Sequence, residues 1–139
     1  MDIVKLPFNQ HLGLARADQE GLVLKLEQES HLENHVGTVH AAALFALAEA
    51  TGAELLLQAQ GTRTDIGGVV RRSSCKYSRP GKGIVFSRSK TTPEVIEKAI
   101  KVVEQRGKSL VDIEVELVDG EQTLLSCFCF SWLLAKTAD

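Results

Sequence analysis

Hydrophobic and polar residues alternate in several segments of this chain, and a period of two predicts β-strands with one buried face. The alternation is strictest at 111–117, where Val, Ile, Val and Leu occupy one face and Asp, Glu and Glu the other. A leucine row at 22–26 predicts a second strand, which a short strand near 12–17 could join. Three more strands are predicted at 68–78, 84–91 and 124–134. The last of these has apolar residues on both faces, which indicates cover on both sides.

Turn residues separate these strands. Asp119-Gly120 follows the strictest strand and predicts a type I′ hairpin that returns through 124–134. Pro80, Gly81 and Gly83 predict a turn at 79–83. The chain therefore contains at least one antiparallel pair.

Two segments depart from the alternation and predict helices. Residues 38–60 are rich in Ala and Leu around nearly the whole helix, which is typical of a helix surrounded by other structure. The second helix has Thr91 or Thr92 as its cap, Pro93 in its first turn and Gly107 at its end. The order of elements predicts an α+β fold, in which an antiparallel sheet wraps round one long central helix and an extra helix is inserted between strands.

Length, composition and charge are those of an ordinary globular protein. With 139 residues, 44% of them hydrophobic and 24% charged, the chain is predicted to form one domain over 1–139 with its own core. The net charge of −2 and the lack of a long cationic run argue against nucleic acid as a partner. Polar residues interrupt the apolar segment 39–59, which favours a core helix over a membrane span.

The cysteines and the N-terminal residues indicate a reducing compartment. Cys75, Cys127 and Cys129 form no C-x-x-C pair and are expected to be reduced core residues. Residues 1–13 lack the apolar stretch of a signal peptide, so a cytoplasmic location is expected.

The acid in the middle of the long helix is the first candidate for chemistry. Glu49 has Ala or Leu at most neighbouring positions, and an unpaired buried carboxylate has a raised pKa. Such an acid often marks a functional site. Alternatively Glu49 reaches the surface or pairs with an arginine of the sheet, such as Arg71 or Arg72. The helix alone does not decide between these interpretations.

The start of the same helix is the second candidate. Free backbone N–H groups near His40, Ala41 and Ala42, at the positive end of the helix dipole, would form an oxyanion site. His40 lies nine residues before Glu49, which is a half-integral number of turns, so it is expected to orient the helix start or a substrate.

Two further histidines raise the question of a metal. His31 and His35 are four residues apart and would share one face of a helix. Asn34 and Gly37 favour a loop at this position instead, so no metal site is predicted.

The residues around the helix start resemble a known signature. The run Asn34-x-x-Gly37-x-x-His40-Ala41-Ala42, with an acid nine residues after the histidine, is similar to the N-x-x-G-x-x-H-G-G…D/E motif of hotdog-fold thioesterases of the phenylacetate-pathway (PaaI-like) type. The resemblance continues through 77–83 and 106–109. The inserted helix at 93–106 resembles the hotdog subgroup classed as the domain of unknown function DUF4442. The resemblance implies a homodimer, or a dimer of dimers, with paired sheets and each site at the dimer interface.

The resemblance also implies roles for single residues. Glu49 would be the catalytic carboxylate, either as general base on water or as nucleophile at the thioester carbonyl. Asn34 would position the water or the carbonyl, and the backbone N–H of Ala41 would bind the oxyanion. Ala41 and Ala42 replace the two glycines of the motif, so a Cβ stands where the backbone approaches the thioester.

Residues after the helix complete the expected site. Ser73 or Ser74 would supply a polar group from the partner subunit, or would simply face the edge of the sheet. Basic residues near 72–82 would meet the phosphates of coenzyme A, or would form solvated surface. Tyr77 and Trp132 are expected in the core. The expected catalytic residues are thus Glu49, Asn34, Ala41 and His40, and the expected substrate-binding residues are Gly37, Ala42, Ser73, Ser74, Arg79 and Lys82.

These expectations describe the hydrolysis of acyl-thioesters of coenzyme A or of a carrier protein, without a cofactor or a metal. The two alanines favour an alternative, a hotdog module that binds acyl groups without turnover. A hotdog dehydratase or hydratase is disfavoured because such enzymes rely on a histidine that is paired differently with the acid.

Overall fold

The computed structural model describes residues 1–138, and its strands form one antiparallel sheet with the order β1-β2-β4-β5-β6-β3. Two 3₁₀ turns, Ile3–Lys5 and Ser30–Leu32, precede the long helix. The three helices are α1 (Pro7–Leu12), α2 (Ala41–Gln60) and α3 (Pro93–Arg106). The six strands are β1 (Ala15–Arg16), β2 (Leu24–Glu27), β3 (Ile66–Tyr77), β4 (Ile84–Ser89), β5 (Lys108–Val118) and β6 (Leu124–Lys136).

Helix α2 packs on one face of this sheet and forms the centre of the core, as predicted. It is long and apolar enough to cross a membrane by length and composition alone, but 56% of its most apolar window is buried in the fold. It begins at Ala41, three residues later than predicted, because the preceding residues are extended. Val39 bridges to Glu33, and its N–H donates to the Gly81 carbonyl at 2.9 Å.

A buried hydroxyl pair holds α2 against the sheet. The Thr51 hydroxyl is 2.6 Å from the Ser87 hydroxyl on β4 and 2.8 Å from the Leu47 carbonyl. Ser87 Oγ in turn accepts a hydrogen bond from the Leu24 N–H at 3.0 Å. Both hydroxyl residues are fully buried, so this network sets the position of α2 along the strands.

Strand β3 is an edge strand with little cover. It pairs with β6 along one side, and no other strand of residues 1–138 pairs with its second side. All residues from 71 to 80 are exposed, including Tyr77 at 44%. A long open edge of this kind is normally covered or paired.

Several details differ from the predictions. The hairpin loop spans 119–123, and its residue with a positive φ is Gln122 rather than Gly120. Asp119 Oδ1 accepts hydrogen bonds from the N–H groups of Glu121 and Thr123.

The strand ends and the burial of single residues also differ from the predictions. Leu12 ends helix α1 and is not in a strand. The outer face of β6 is only partly buried, so cover on both sides is wrong for the isolated chain. Tyr77 and the cysteines are not core residues: Cys75 is exposed, and Cys127 and Cys129 are partly buried.

Candidate active site

The loop before α2 is built around the side chain of Asn34. Its Nδ2 donates to Thr38 Oγ1 at 2.8 Å, and its Oδ1 accepts from the N–H groups of Val36 and Thr38 at 3.0 and 3.1 Å. Gly37 has a φ of +73°, which explains why this position favours glycine. One N–H of the Asn34 amide has no partner in residues 1–138, so a single donor is left for a ligand.

The first turn of α2 contains one free backbone donor. The N–H groups of Ala43 and Leu44 donate to the His40 carbonyl at 2.9 and 3.1 Å. The Ala42 N–H donates to Nδ1 of His40 at 2.9 Å. Within the described part of the chain, the Ala41 N–H has no acceptor. The predicted oxyanion site therefore reduces to the Ala41 N–H.

A cleft of ≈330 Å³ opens beside this donor. Asn34, Thr38 and Ala41 line it on the helix side, and Tyr77 and Arg79 line it from the end of β3 and the following turn. The Tyr77 hydroxyl donates to the Ala41 carbonyl at 3.3 Å. Arg79 makes no ion pair among residues 1–138, so its charge is available to an anionic ligand.

A second cavity of ≈340 Å³ lies beside the other side of the α2 start. His11, His31, His40 and Ala42 line it together with the exposed ring of Phe8. His40 and Ala42 thus line a different cavity from Ala41. Over the residues that the structure describes, no three His, Cys, Asp or Glu side chains are grouped to hold a metal.

Glu49 lies two turns further along α2. Its side chain is partly buried, and it has no hydrogen-bond or ion-pair partner among residues 1–138. Arg71 and Arg72 are exposed and likewise unpaired there, so the predicted alternative of an ion pair with the sheet is wrong. Burial raises the pKa of Glu49. The eight-residue separation corresponds to about 12 Å along the helix, so Glu49 and the Ala41 N–H of one chain do not reach the same carbonyl group.

An aromatic cluster lies between these two residues. Phe45 is midway between Ala41 and Glu49, and its ring centroid is 5.9 Å from Phe128 and 5.3 Å from Phe130. Tyr77 continues the cluster, with its ring 5.6 Å from Phe128. This apolar wall was not predicted from the sequence. The i+4 spacing of Phe45 from Ala41, and of Glu49 from Phe45, was the available signal.

The remaining expected residues are distributed over both faces of the sheet. Ser73 is paired with the core residue Phe130 and therefore faces the helix side, whereas Ser74 is paired with Cys129 on the outer face. Lys82 is exposed in the turn after Arg79. Ser73 is thus the serine on the face of the sheet against which α2, the helix that carries Glu49, packs.

The DUF4442 family, described as a domain of unknown function, matches residues 14–133. The Pseudomonas aeruginosa protein PA5026, described as a probable thioesterase, is 26% identical over 97% of this chain and 91% of that chain, with a TM-score of 0.81. The thioesterase SAV0944 from Staphylococcus aureus is 14% identical over 94% and 99% of the two chains, with a TM-score of 0.69. The PaaI protein of the E. coli phenylacetic acid degradation operon is 14% identical over 96% and 86%, with a TM-score of 0.64. No curated protein matches this chain.

These matches agree with the architecture. A six-stranded antiparallel sheet against one long helix is the arrangement predicted from the hotdog resemblance, and it is confirmed. The family match covers most of the chain, and it includes the inserted helix α3. The chain belongs to the DUF4442 family and has the hotdog fold that these solved structures share.

Proposed function

We propose that this protein hydrolyses acyl-thioesters of coenzyme A, and that two copies of the chain form each active site. One observation carries this proposal. Helix α2 bears both an unpaired acid and a free backbone donor, and it lies beside an open edge of the sheet. Glu49 would act from one protomer, and Asn34 and Ala41 from its partner. The thioesterase descriptions of PA5026 and SAV0944 support the reaction class.

Pairing of β3 with its symmetry mate explains how the two groups would meet. A two-fold axis perpendicular to the sheet would join two β3 strands antiparallel and set two α2 helices side by side in opposite directions. Phe45 lies midway between Ala41 and Glu49. An axis level with Phe45 therefore sets the Ala41 N–H of one protomer level with Glu49 of its partner. The exposed residues from 71 to 80 would be covered by this pairing.

The chemistry follows from the properties of these groups. The Glu49 carboxylate would take a proton from water as the water oxygen attacks the thioester carbonyl carbon. The raised pKa makes Glu49 a stronger base than an ordinary carboxylate. The Ala41 N–H would donate to the developing oxyanion. The C–S bond would then break, and the leaving thiolate would take up the proton that Glu49 had removed from water, which restores the carboxylate. Attack by Glu49 itself is the alternative first step.

Unpaired cations favour coenzyme A as the carrier of the acyl group. Residues 66–93 contain seven Lys and Arg and no Asp or Glu. Five of these cations make no ion pair within residues 1–138, and Arg79 lines the cleft beside Ala41. Guanidinium and ammonium groups bind phosphates well, so Arg79 and Lys82 would hold the phosphates of the coenzyme. An enzyme with this substrate is expected in the cytoplasm.

Release of free thiol from acyl-coenzyme A esters tests the proposal. Short, long and aromatic esters would be compared with wild type and with Glu49→Gln, which keeps the size of the side chain but removes the base. We expect turnover to fall about 100-fold or more. Glu97→Gln, an exposed acid on α3, is the control and should not change turnover.

Two results would overturn the proposal. Turnover of Glu49→Gln within threefold of wild type would remove Glu49 from the reaction. Binding of esters by calorimetry without any thiol release from wild type would replace hydrolysis by the non-catalytic acyl-binding module.

A further inference from the structure

Trp132 carries a buried hydrogen-bond donor that no residue from 1 to 138 accepts. Its side chain lies on the helix side of β6 and is 4% exposed, and Nε1 has no partner in this part of the chain. The indole N–H can only donate a hydrogen bond, and a buried indole usually has an acceptor. A donor that is buried without one therefore requires an explanation.

Gly52 allows the indole to approach the middle of α2. A Cβ atom at Gly52 would lie 3.1 Å from Nε1 of Trp132, which is closer than ordinary van der Waals contact. Glycine inside a helix is destabilising relative to alanine, so this close approach is the physical reason for a glycine at this position. The indole N–H thus lies against the turn of α2 formed by residues 49–52.

The strands beside Trp132 offer no acceptor side chain on the helix side of the sheet. The cross-strand neighbours of Trp132 are Val70 on β3 and Val111 on β5. Along β6, the next residues on the same face are Phe130 and Leu134, which are buried and apolar. Of the elements that pack against the indole, α2 is therefore the one that can supply an acceptor.

Glu49 is the free acceptor near this point of α2. The Thr51 hydroxyl belongs to the buried network that joins α2 to β4, and Glu54 is paired with Arg16. Glu49 lies three residues before Gly52, and residues at this spacing are neighbours on a helix surface. Its carboxylate is partly buried and has no hydrogen-bond or ion-pair partner among residues 1–138. A free buried donor and a free acid thus lie one turn apart.

We propose that the Trp132 N–H donates to the ionised Glu49 carboxylate, and that Trp132 is thereby a positioning residue for the proposed base. The indole is fixed by its burial, whereas no hydrogen bond or ion pair within residues 1–138 holds the Glu49 side chain. A change of rotamer at Glu49 forms the bond, and the bond then fixes the direction of the carboxylate. A general base needs such a direction toward the proton that it removes. The effect on turnover rests on the proposed hydrolysis, whereas the contact itself does not.

Burial and the proposed bond act on the pKa of Glu49 in opposite directions. Burial raises this pKa because it disfavours the charged form. A hydrogen bond to the charged form favours that form and lowers the pKa. Removal of the donor should therefore raise the pKa further. Water that enters a cavity would instead reduce the effect of burial and lower the pKa, so the sign of the change distinguishes the two causes.

The other titratable residues around this contact are paired or exposed. On α2, Glu54 is paired with Arg16 at 3.1 Å. The charged residues of α3 are all exposed. The titratable residues of β3 and β5 that lie near the level of Trp132 or on the helix side of β3 are also exposed, and they are Arg71, Arg72, Cys75, Tyr77, Lys108 and Asp112. A titration seen at the indole is therefore assigned to Glu49.

The contact is tested by NMR in the full chain. The chain has one tryptophan, so a single indole N–H signal reports on this position. In wild type, this proton signal should move downfield with one inflection between about pH 4 and 8, as Glu49 loses its proton. Glu49→Gln should abolish the inflection, and the exposed-acid control Glu97→Gln should keep it. A constant indole signal in wild type, or the same inflection in Glu49→Gln, would refute the contact whether or not the protein hydrolyses thioesters.

The hydrogen bond is separated from a mere effect of charge by the pKa of Glu49 in Trp132→Phe. Carbon-13 NMR of the Glu49 carboxyl, identified as the signal absent from Glu49→Gln, measures this pKa. Without the donor it should rise by about one pH unit. Phe130→Leu opens a cavity in the same row of β6 and removes no donor, so its pKa should not rise. A pKa that stays or falls in Trp132→Phe, or rises equally in Phe130→Leu, would overturn the proposal.

The role in positioning is measured on thiol release. On the plateau of the pH profile, kcat of Trp132→Phe should fall about 10-fold while KM is kept, because the indole acts through Glu49 and does not bind the substrate. The acid side of the kcat/KM profile should move to higher pH by about one unit. An unchanged kcat, or a lower kcat without this displacement of the profile, would show that Trp132 does not position the base.

Discussion

The Tyr77 hydroxyl donates a 3.3 Å hydrogen bond to the backbone carbonyl of Ala41, which joins the end of strand β3 to the first residue of α2. Strand β3 carries the open edge of the sheet, and Ala41 carries the free donor of the helix. Any shift of β3 would therefore be transmitted to the Ala41 peptide. This contact links the proposed dimer edge to the proposed oxyanion donor.

Tyr77→Phe removes this hydroxyl and keeps the ring that packs on Phe128. We expect kcat to fall about 3- to 10-fold, which corresponds to one modest hydrogen bond. The thermal midpoint should change little, because Tyr77 is 44% exposed and the bond is long. Thiol release and thermal unfolding of Tyr77→Phe and wild type measure both effects. An unchanged kcat would show that the contact does not hold the donor.

Glu49 is expected to lower the stability of the folded chain in its charged form. Burial raises the pKa of Glu49 above its ordinary value of 4.5, so the folded chain binds this proton to higher pH than the unfolded chain does. Stability is therefore lost as pH rises from the unfolded pKa to the folded pKa. Glu49→Gln should unfold at higher temperature than wild type at pH 8, and the difference should shrink as pH falls to about 4.

Thermal unfolding of both proteins at pH 4, 6 and 8 measures this difference. Glu97→Gln again serves as the control, since an exposed acid should give a small difference that does not depend on pH. If Glu49→Gln raises the unfolding temperature by the same amount at all three pH values, the charge of Glu49 is not the cause. The shape of the amide would then explain the higher stability.

The elements were predictable where one physical pattern dominated. The alternation at 111–117 identifies β5, because each Val and Ile of this row is buried in the core. Thr92 and Gly107 bound α3 as predicted, because a proline follows the cap and Gly107 adopts φ +82°. The hairpin after Asp119-Gly120 is confirmed, but its predicted type I′ turn was wrong. The side chain of Asp119 binds two N–H groups further along the loop, and a dipeptide signal does not contain these contacts.

The candidate site was predictable as a set of residues but not as an arrangement. The motif identifies Asn34, Ala41 and Glu49, and helical spacing alone sets the last two about 12 Å apart, yet it does not show which N–H of the first turn stays free. The Ala42 N–H donates to His40 Nδ1, whereas the Ala41 N–H stays free beside the cleft. This difference depends on the rotamer of the His40 side chain, which a sequence pattern does not predict. Cys75 was expected in the core because the cysteine spacing indicated neither a disulfide framework nor a zinc site, but its strand lies at the edge of the sheet.

Substitutions at Ala41 test the donor directly. Ala41→Pro removes the N–H at the first helical position, where proline is well tolerated, and His40 already has the extended ψ of 138° that precedes a proline. We expect turnover to fall about 100-fold. Ala41→Gly keeps the N–H and removes the Cβ beside the cleft, so turnover should be kept or raised. Thiol release by a Pro variant at the wild-type rate, with circular dichroism showing an intact fold, would exclude the Ala41 N–H.

Mixed dimers test whether each site uses both protomers. One chain carries Glu49→Gln, the other carries Ala41→Pro, and different affinity tags allow the heterodimer to be purified after co-expression. If the acid and the donor come from different protomers, one of the two sites in this heterodimer keeps both groups, and activity should return to about half that of wild type. If both groups act within one chain, each site lacks one of them, and the heterodimer should stay as inactive as its parents. Light scattering on the same samples confirms that dimers, and not monomers of 15.1 kDa, are being assayed.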